Sequence, residues 1–465
     1  MDVKEFMAAP PVALTDLGIL ASEKRGRQLL ELADQLSCCK SQLKEAKKNK
    51  ADVARQFKVL NQVSAERDQL ITAMQAVSAE VKNLEEQLRW MERSLSSLLQ
   101  QATSQSEMEP PFVVLPQGSN YSEHYIIREL LPSEAALWSE FLSSKRTSAY
   151  HQPAWPKIIE RSFGHQTRIW VAVAENGKIL GGLPLTFFAS KLFGRFAVSI
   201  PYFNYGGIIS DWFNVAKEMI SHLQQICIDE GLAHIEVRTM QPDLYHRFSD
   251  KKASMVLVLP DTESELDDQL GAKVRAQYKK AEEHRPQVKY GRGELLSDFY
   301  RVFAQNMRDL GTPVYARRWF ANILSEATIN ARVIVVYVDK KPVSAGFMIG
   351  HGNMLEIPWA STVKQANSMN TNMWMYRQIL GYAVREGYQY FDFGRSTRDA
   401  GTYRFKKQWG AKPFTHYWYY QFPAGGVMPE LNPDNPKYKL MIAIWKRLPV
   451  WLTKIIGPPV VANLP

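Results

Sequence analysis

The chain has 465 residues, of which 45% are hydrophobic and 22% charged, and its formal net charge is +10. That length exceeds one typical core and predicts two or three domains. The excess of cations predicts an anionic partner, without choosing among nucleic acid, a phosphorylated substrate and a membrane surface. Three cysteines, Cys38, Cys39 and Cys227, exclude a disulfide framework, and their spacing does not suit a zinc site. No basic stretch followed by a long apolar run opens the chain, and no window is apolar for the eighteen or so residues a membrane span needs. The expected location is the cytoplasm.

Residues 1–21 read as a flexible N-terminus. Between Arg27 and Glu109 there is neither Gly nor Pro, and apolar residues recur at spacings of three and four. Leu29, Leu32, Leu36, Cys39 and Leu43 open this seam, and Leu84, Leu88, Met91, Leu95 and Leu98 close it. The pattern predicts a coiled coil over 22–108, overwound where Phe57, Leu60 and Val63 follow at steps of three. A continuous helix of this length would reach roughly 120 Å. It cannot bury its stripe alone, so it either pairs with a second copy or folds back as a hairpin. The absence of a turn cluster favours a parallel homo-oligomer.

Pro110-Pro111 ends the coil, and two similar mixed α/β halves follow, at 111–265 and 266–425. RIWVAVAENGKILGGLPLTFF (168–188) and RVIVVYVDKKPVSAGFMIGHG (332–352) each read as strand, tight turn, strand. DEGLAHIEVRT (229–239) corresponds to REGYQYFDFGRST (385–397), each a helix end followed by a strand. This is an internal duplication of a unit of about 150 residues. After a Pro/Gly/Asn-rich linker within 426–465 comes LMIAIWKRLPVWLTKIIGPPVVANLP (440–465). There Trp445, Trp451 and several aliphatics alternate with Lys446, Arg447 and Lys454, and Pro449 and Pro458-Pro459 should confine helix to short pieces. The segment suits an interfacial membrane arm or an arm packed on the protein's own core.

The densest chemistry lies in QYFDFGRSTRDAGTYRFKKQWGA (389–411). The strand alternation sets Asp392 on the face opposite its aromatic neighbours. Gly394 lets the chain leave the sheet, which places Arg395 at a strand edge where ligands of α/β sheets gather. Tyr403, Arg404, Lys406, Lys407 and Trp409 then combine uncompensated cations with aromatic surface, as an anion site requires. KVRAQYKKAEE (273–283) places Arg275, Lys279 and Lys280 within about one helical turn, either to bind phosphate or as an exposed basic helix. PYFNYGG (201–207) offers Asn204 and Tyr205 ahead of a Gly pair that admits a ligand closely, or is a plain strand turn.

FDFGRST…GTYRFKKQWGA, together with the duplicated unit, PYFNYGG, KVRAQYKKAEE and the KRLPVWLTKIIGPPVVANLP tail, resembles the Fem-type peptidyltransferases. The likeness is to the FemAB-like branch found beside exosortase (PEP-CTERM) and exopolysaccharide genes. It implies an α/β fold of two tandem GNAT-like domains and transfer of an aminoacyl group from aminoacyl-tRNA to an amine. Lys406 would then stabilise charge on the reacting carbonyl or leaving group. Asp392 and Arg395 would shape the same cleft, Asp392 as base or as structural hydrogen bonder. Family members carry their coiled-coil arm inside the second domain, so a tRNA-binding role does not transfer to residues 22–105. The implied partners are a charged-tRNA or acyl-CoA donor, an anionic or lipid-linked glycan precursor, and the inner-membrane surface. No permanently bound cofactor or metal is expected: there is no Arg/Gln-x-x-Gly-x-Gly/Ala loop, and the histidines lack ligand spacing. The alternatives are an acyl-CoA-dependent N-acyltransferase of the same fold and a membrane-associated coiled-coil scaffold.

Overall fold

The Gly- and Pro-free segment forms two long helices rather than one. The computed structural model describes residues 3–10, 13, 24–59, 65–103, 111–190, 194–398, 400–423, 426 and 436–464. The chain divides into two units, 1–109 with 242–247, and 110–241 with 248–465. In the first unit a short helix α1 (Val3–Ala8) precedes α2 (Lys24–Val59) and α3 (Ala65–Thr103). The ion pairs Lys40–Glu92 (3.4 Å) and Lys47–Glu85 (2.8 Å) show that α2 and α3 run antiparallel. Leu29, Leu36 and Cys39 of α2 are buried with Met91, Leu95 and Leu99 of α3. The stripe is therefore closed within one chain by two antiparallel helices, which corrects the expectation of one continuous helix. A hairpin closes its seam for the modest entropy of a loop, whereas association must also overcome lost translational and rotational freedom. The overwound step at Leu60 and Val63 lies outside the described residues. Residues 3–8, expected to be flexible, are helical, and Phe6 is fully buried in the same cluster.

The second unit carries two sheets. Its first half supplies β1 (Tyr125–Glu129), α4 (Ala135–Ser143), α5 (Trp155–Phe163), β2 (Thr167–Ala174), β3 (Ile179–Ser190), β4 (Gly194–Val198), β5 (Ile209–Ser210), α6 (Phe213–Asp229), β6 (Ile235–Thr239), β7 (Phe248–Ser249) and β8 (Lys252–Val258). After α7 (Glu263–Gln269) and α8 (Ala272–Ala281) come β9 (Gln287–Gly291), α9 (Leu296–Leu310), α10 (Arg317–Ser325), β10 (Asn330–Val338), β11 (Lys341–His351) and β12 (Met354–Thr362). The chain continues with α11 (Thr371–Arg385), β13 (Tyr390–Thr397), α12 (Gly401–Lys407), β14 (Lys412–Thr415), β15 (Tyr417–Gln421), α13 (Pro436–Trp445) and α14 (Val450–Val461).

The strand orders are β1-β2-β3-β4-β6-β15-β7, with β5 on β3, and β14-β8-β13-β12-β11-β10-β9. The two hairpins read from the sequence are β2–β3 and β10–β11. Sequence halves and sheets do not correspond one to one. β8 precedes residue 265 yet pairs with β13, and β15 comes from the second half yet pairs with β6. Each half lends a strand to the other's sheet. An aromatic core joins them further: Tyr150, Trp155 and Phe203 of the first half lie against Trp319, Phe320 and Trp359 of the second. Helices α7, α8, α11 and α12 cover the other face of the second sheet, with Phe391, Phe393 and Trp409 in that core.

Leu36 and Leu95 are both fully buried. Replacing either with alanine should lower the stability of the α2–α3 hairpin by about 2–5 kcal/mol. Amide hydrogen exchange reads this as faster exchange throughout both helices. Unchanged protection would refute the intramolecular seam.

Candidate functional site

Strands β12 and β13 run parallel for three residue pairs, Met354–Tyr390, Leu355–Phe391 and Glu356–Asp392, and then part. The last pair is acidic. Both carboxyls come from strands whose neighbouring residues, Leu355, Ile357, Phe391 and Phe393, fill the helix-covered core. Strand alternation therefore turns Glu356 and Asp392 to the opposite face, towards the first half of the chain. Gly394, at φ +76°, makes the bulge that follows, where a Cβ would meet the Ile357 carbonyl oxygen at 3.3 Å. Only glycine takes that conformation freely. Its N–H donates to Asp392 Oδ1 at 2.8 Å.

Around these carboxyls the structure builds a closed polar cluster. Tyr205 donates its hydroxyl to Glu356 Oε2 at 2.9 Å and lies 3.4 Å from Asp392 Oδ2. Ser254 on β8 hydrogen-bonds Asp392 and pairs with His416 Nε2 at 2.9 Å. Lys406, 8% exposed, reaches back from α12 and donates to the carbonyls of Gly394 and Arg395, both at 2.9 Å. An ammonium has three donors, so one remains for a substrate oxygen. Burial, then the charge of Asp392, pushes the Glu356 carboxyl up to about 8. Burial likewise raises Asp392 to about 6, against the hydrogen bonds from Ser254 and Gly394. Burial lowers Lys406 to about 8, although both carboxylates oppose it. Near neutral pH the pair therefore holds one proton and the lysine remains largely charged.

Glu356 and Tyr205 also line a cavity of about 400 Å³ with Gly206, Gly207, His151 and His351. His151 accepts or donates at Ser148 and meets the Gly207 carbonyl at 3.1 Å, and burial drives it down to about 4. His351 Nε2 meets Thr147 at 3.0 Å across the two halves, and burial lowers it as well. Neutral imidazoles and a carboxyl thus share the lining of the cavity. The loop that leads into it bears strain: Ile200 and Tyr202 adopt φ of 41° and 72°, conformations costly for bulky residues and concentrated at functional sites.

On the other side of Asp392, Arg395 lies over Trp418 at 5.4 Å, and Arg238 stacks on the same indole at 4.4 Å. Arg238 is buried and paired with Glu236 at 2.6 Å. Arg395 is exposed and has no carboxylate within ion-pairing distance among the described residues. The crowding around it, then the charge of Arg238, lowers its basicity. Lys252 adds a third cation nearby, its Nζ on Thr397 Oγ1 at 2.6 Å. These groups gather three cations beside the buried carboxyl cluster, an arrangement suited to an anion.

Of the residues predicted from sequence, Lys406, Asp392, Arg395 and Tyr205 come together. Asn204 borders the same region and accepts from the Trp418 indole through its carbonyl at 3.1 Å. Trp409 does not face a ligand: it is 1% exposed and packs with Tyr376, Phe393 and Phe405. Tyr403 packs against that core, and Arg404 and Lys407 are exposed. Arg275 is consumed by the Asp267 and Leu270 carbonyls, where it ties off the end of α7. Lys279 and Lys280 are exposed on α8, which belongs to the helix-covered face opposite Glu356 and Asp392. The phosphate reading of that helix is thus not joined to this site. Sequence reasoning missed Glu356, Arg238, Ser254, Trp418 and His416. The signal for Glu356 was present, a lone acid in the apolar strand MLEIPWA, as was that for Arg238, the counterpart of Arg395 in the repeat. Among the described residues no three His, Cys, Asp or Glu side chains converge as a metal-binding group.

A buried base beside a cation with a free donor is an arrangement suited to group transfer. Residues 270–407 match a sequence family described as acetyltransferase (GNAT) domain. That match assigns a GNAT-type acyltransferase domain to this part of the chain. Solved structures similar to it include FemX, at 15% identity and a TM-score of 0.47, covering 68% of this chain and 100% of FemX. A second is the C-terminal domain of a putative lysylphosphatidylglycerol synthetase from Agrobacterium fabrum, at 12% and 0.43, covering 67% and 96%. A third is a tandem GNAT protein from the clavulanic acid pathway, at 9% and 0.43, covering 66% and 100%. No curated protein sequence matches the chain.

The raised carboxyl sets a pH signature. The folded protein holds a proton on Glu356 that the unfolded chain releases near pH 4.5, so stability falls as pH rises from there to about 8. Glu356→Gln removes this titration. Its melting temperature should fall less than that of the unaltered protein between pH 5 and 8, as checked by scanning calorimetry. Parallel curves would show that Glu356 is ionised throughout.

Proposed function

We propose that the chain transfers an aminoacyl or acyl group to an amine of an anionic cell-envelope or exopolysaccharide precursor. The observation that carries this reading is the Glu356–Asp392 pair at the parting of β12 and β13, with Lys406 on one flank and Arg395 on the other. The acceptor amine enters by the cavity that Glu356 lines and attacks the acyl carbonyl. Its proton passes to the carboxyl pair, whose raised basicity suits that task at neutral pH. Lys406 faces the oxygen on which negative charge develops, and Arg395 with Lys252 holds a phosphate or carboxylate of one substrate. In products, a C–N bond has replaced the C–O or C–S bond of the donor, and the leaving group departs with a proton.

An oxygen-ester donor, as on a charged tRNA, is favoured over acyl-CoA by the connection between β12 and α11. Residues 363–370 contain no glycine, and Thr371 at the helix start is fully buried, its hydroxyl bonded to Ser344 at 2.9 Å. A helix start closed in this way offers no open backbone cradle for a pyrophosphate.

Transfer from charged tRNA and from acyl-CoA to amino-sugar acceptors should be measured side by side. Lys406→Ala is expected to lower kcat by about 10²–10³ with the favoured donor. Glu356→Gln should remove the rise in rate between about pH 6 and 8. Full activity of both variants would overturn the assignment of this site.

A further inference from the structure

The last two helices have two unlike faces. On α14, Thr453, Gly457 and Val461 are buried, and Gly457 lies so close to Val314 that a Cβ there would meet its backbone nitrogen at 2.9 Å. The Ala462 carbonyl beyond the helix accepts from Tyr202 at 3.1 Å and meets His165 Nε2 at 2.6 Å. Arg308 donates to the Leu448 carbonyl at 3.1 Å, and Ile442 of α13 lies against Gly311 at the end of α9. The arm is thus docked on the protein's own core, and the helix continues through Pro458-Pro459 instead of ending there. That settles only its inner face.

The outer face is apolar and open. Leu440, Met441 and Ile444 of α13 are 63%, 64% and 52% exposed, and Trp451 and Ile455 of α14 are both 62% exposed. Ile456 and Val460 extend the α14 stripe, and Leu310 at the end of α9 adjoins it. Eight of the seventeen large hydrophobic side chains exposed among the described residues fall between 440 and 460. Trp445 is half-buried, so the two tryptophans divide, one turned inward and one outward. Exposed Lys446, Arg447 and Lys454 are interspersed with this surface, and no acidic residue occurs from 440 to 465.

We infer that α13 and α14 form a docking surface for an anionic phospholipid bilayer. A contiguous apolar patch is costly to leave in water. Of its potential occupants, a second copy would bring the same three cations face to face with nothing to offset them. A leaflet of acidic lipid instead accepts the aliphatic and indole side chains below its headgroups and the cations among its phosphates. The depth involved is that of an interfacial helix, since no helix among the described residues is long and apolar enough to cross a membrane. This inference does not depend on the acyl donor or acceptor.

The test is co-sedimentation of the full chain with phosphatidylglycerol-containing vesicles and with phosphatidylcholine vesicles, at low and high salt. Binding to the acidic vesicles is expected, weakened on the order of tenfold by high salt or by K446E/R447E/K454E. W451S/I455S, which alters only exposed side chains, should weaken it by a similar factor and leave the circular dichroism spectrum unchanged. Recovery of the full chain in the supernatant of acidic vesicles would overturn the inference. So would a dimer detected by light scattering that W451S/I455S dissociates, which would assign the face to a second copy.

Discussion

The site depends on a short parallel pairing that stops at two carboxyls. Once β12 and β13 part after Glu356 and Asp392, the bulged backbone at Gly394 and Arg395 has carbonyls without a strand to pair with. Lys406 satisfies both, and in doing so brings an ammonium to a place where burial alone would exclude it. The carboxylates and the lysine make one another tolerable, and Tyr205 and Ser254 take up much of the remaining capacity. A buried network of this kind fixes geometry at the expense of ionisation. That is why its members titrate far from their ordinary ranges.

The duplication explains where the second half of the site comes from. Glu236 and Arg238 on β6 occupy the places in the first repeat that Asp392 and Arg395 hold on β13. In the first sheet β4 and β6 pair over Ala197–Ile235 and Val198–Glu236, a second short parallel contact. There the acid and arginine neutralise each other at 2.6 Å. In the second repeat Gly394 adds one residue between them, so the arginine is carried away from the acid and remains open. One inserted glycine thus distinguishes a closed ion pair from a pair of opposite charges held apart. Trp418 lies beneath both arginines because β15 crosses from one half to the other.

Much of this was legible in the residues. Period-two alternation placed Asp392 on the face away from Phe391 and Phe393, whereas at Gly394 the chain does not leave the sheet as expected but bulges and stays in β13 to Thr397. Heptad spacing revealed an apolar helical stripe, but it carries no information about whether the partner lies in the same chain. For that reason the hairpin was not distinguishable from an oligomer. Composition failed at Trp409 and Arg275. An aromatic next to cations reads alike whether it lines a pocket or fills a core, and an arginine near a phosphate-like pattern reads alike when it caps a helix end. Ser254 and His416 were invisible for a different reason. Ser254 lies 138 residues before Asp392, and only the exchange of β8 into the second sheet brings it to Asp392 and to His416.

That exchange also governs how the chain is made. The first sheet has β6 near its middle, and one flank of β6 stays unpaired until β15 arrives, at Tyr417–Gln421. During synthesis the first half therefore leaves the ribosome with an open strand edge, and it stays open until nearly two hundred more residues have been added. Neither repeat is a domain in the sense of a piece that folds when it appears. The molecule inherited two copies of a unit but matures as one, so a nascent chain cut short anywhere before β15 exposes the edge that the finished protein hides.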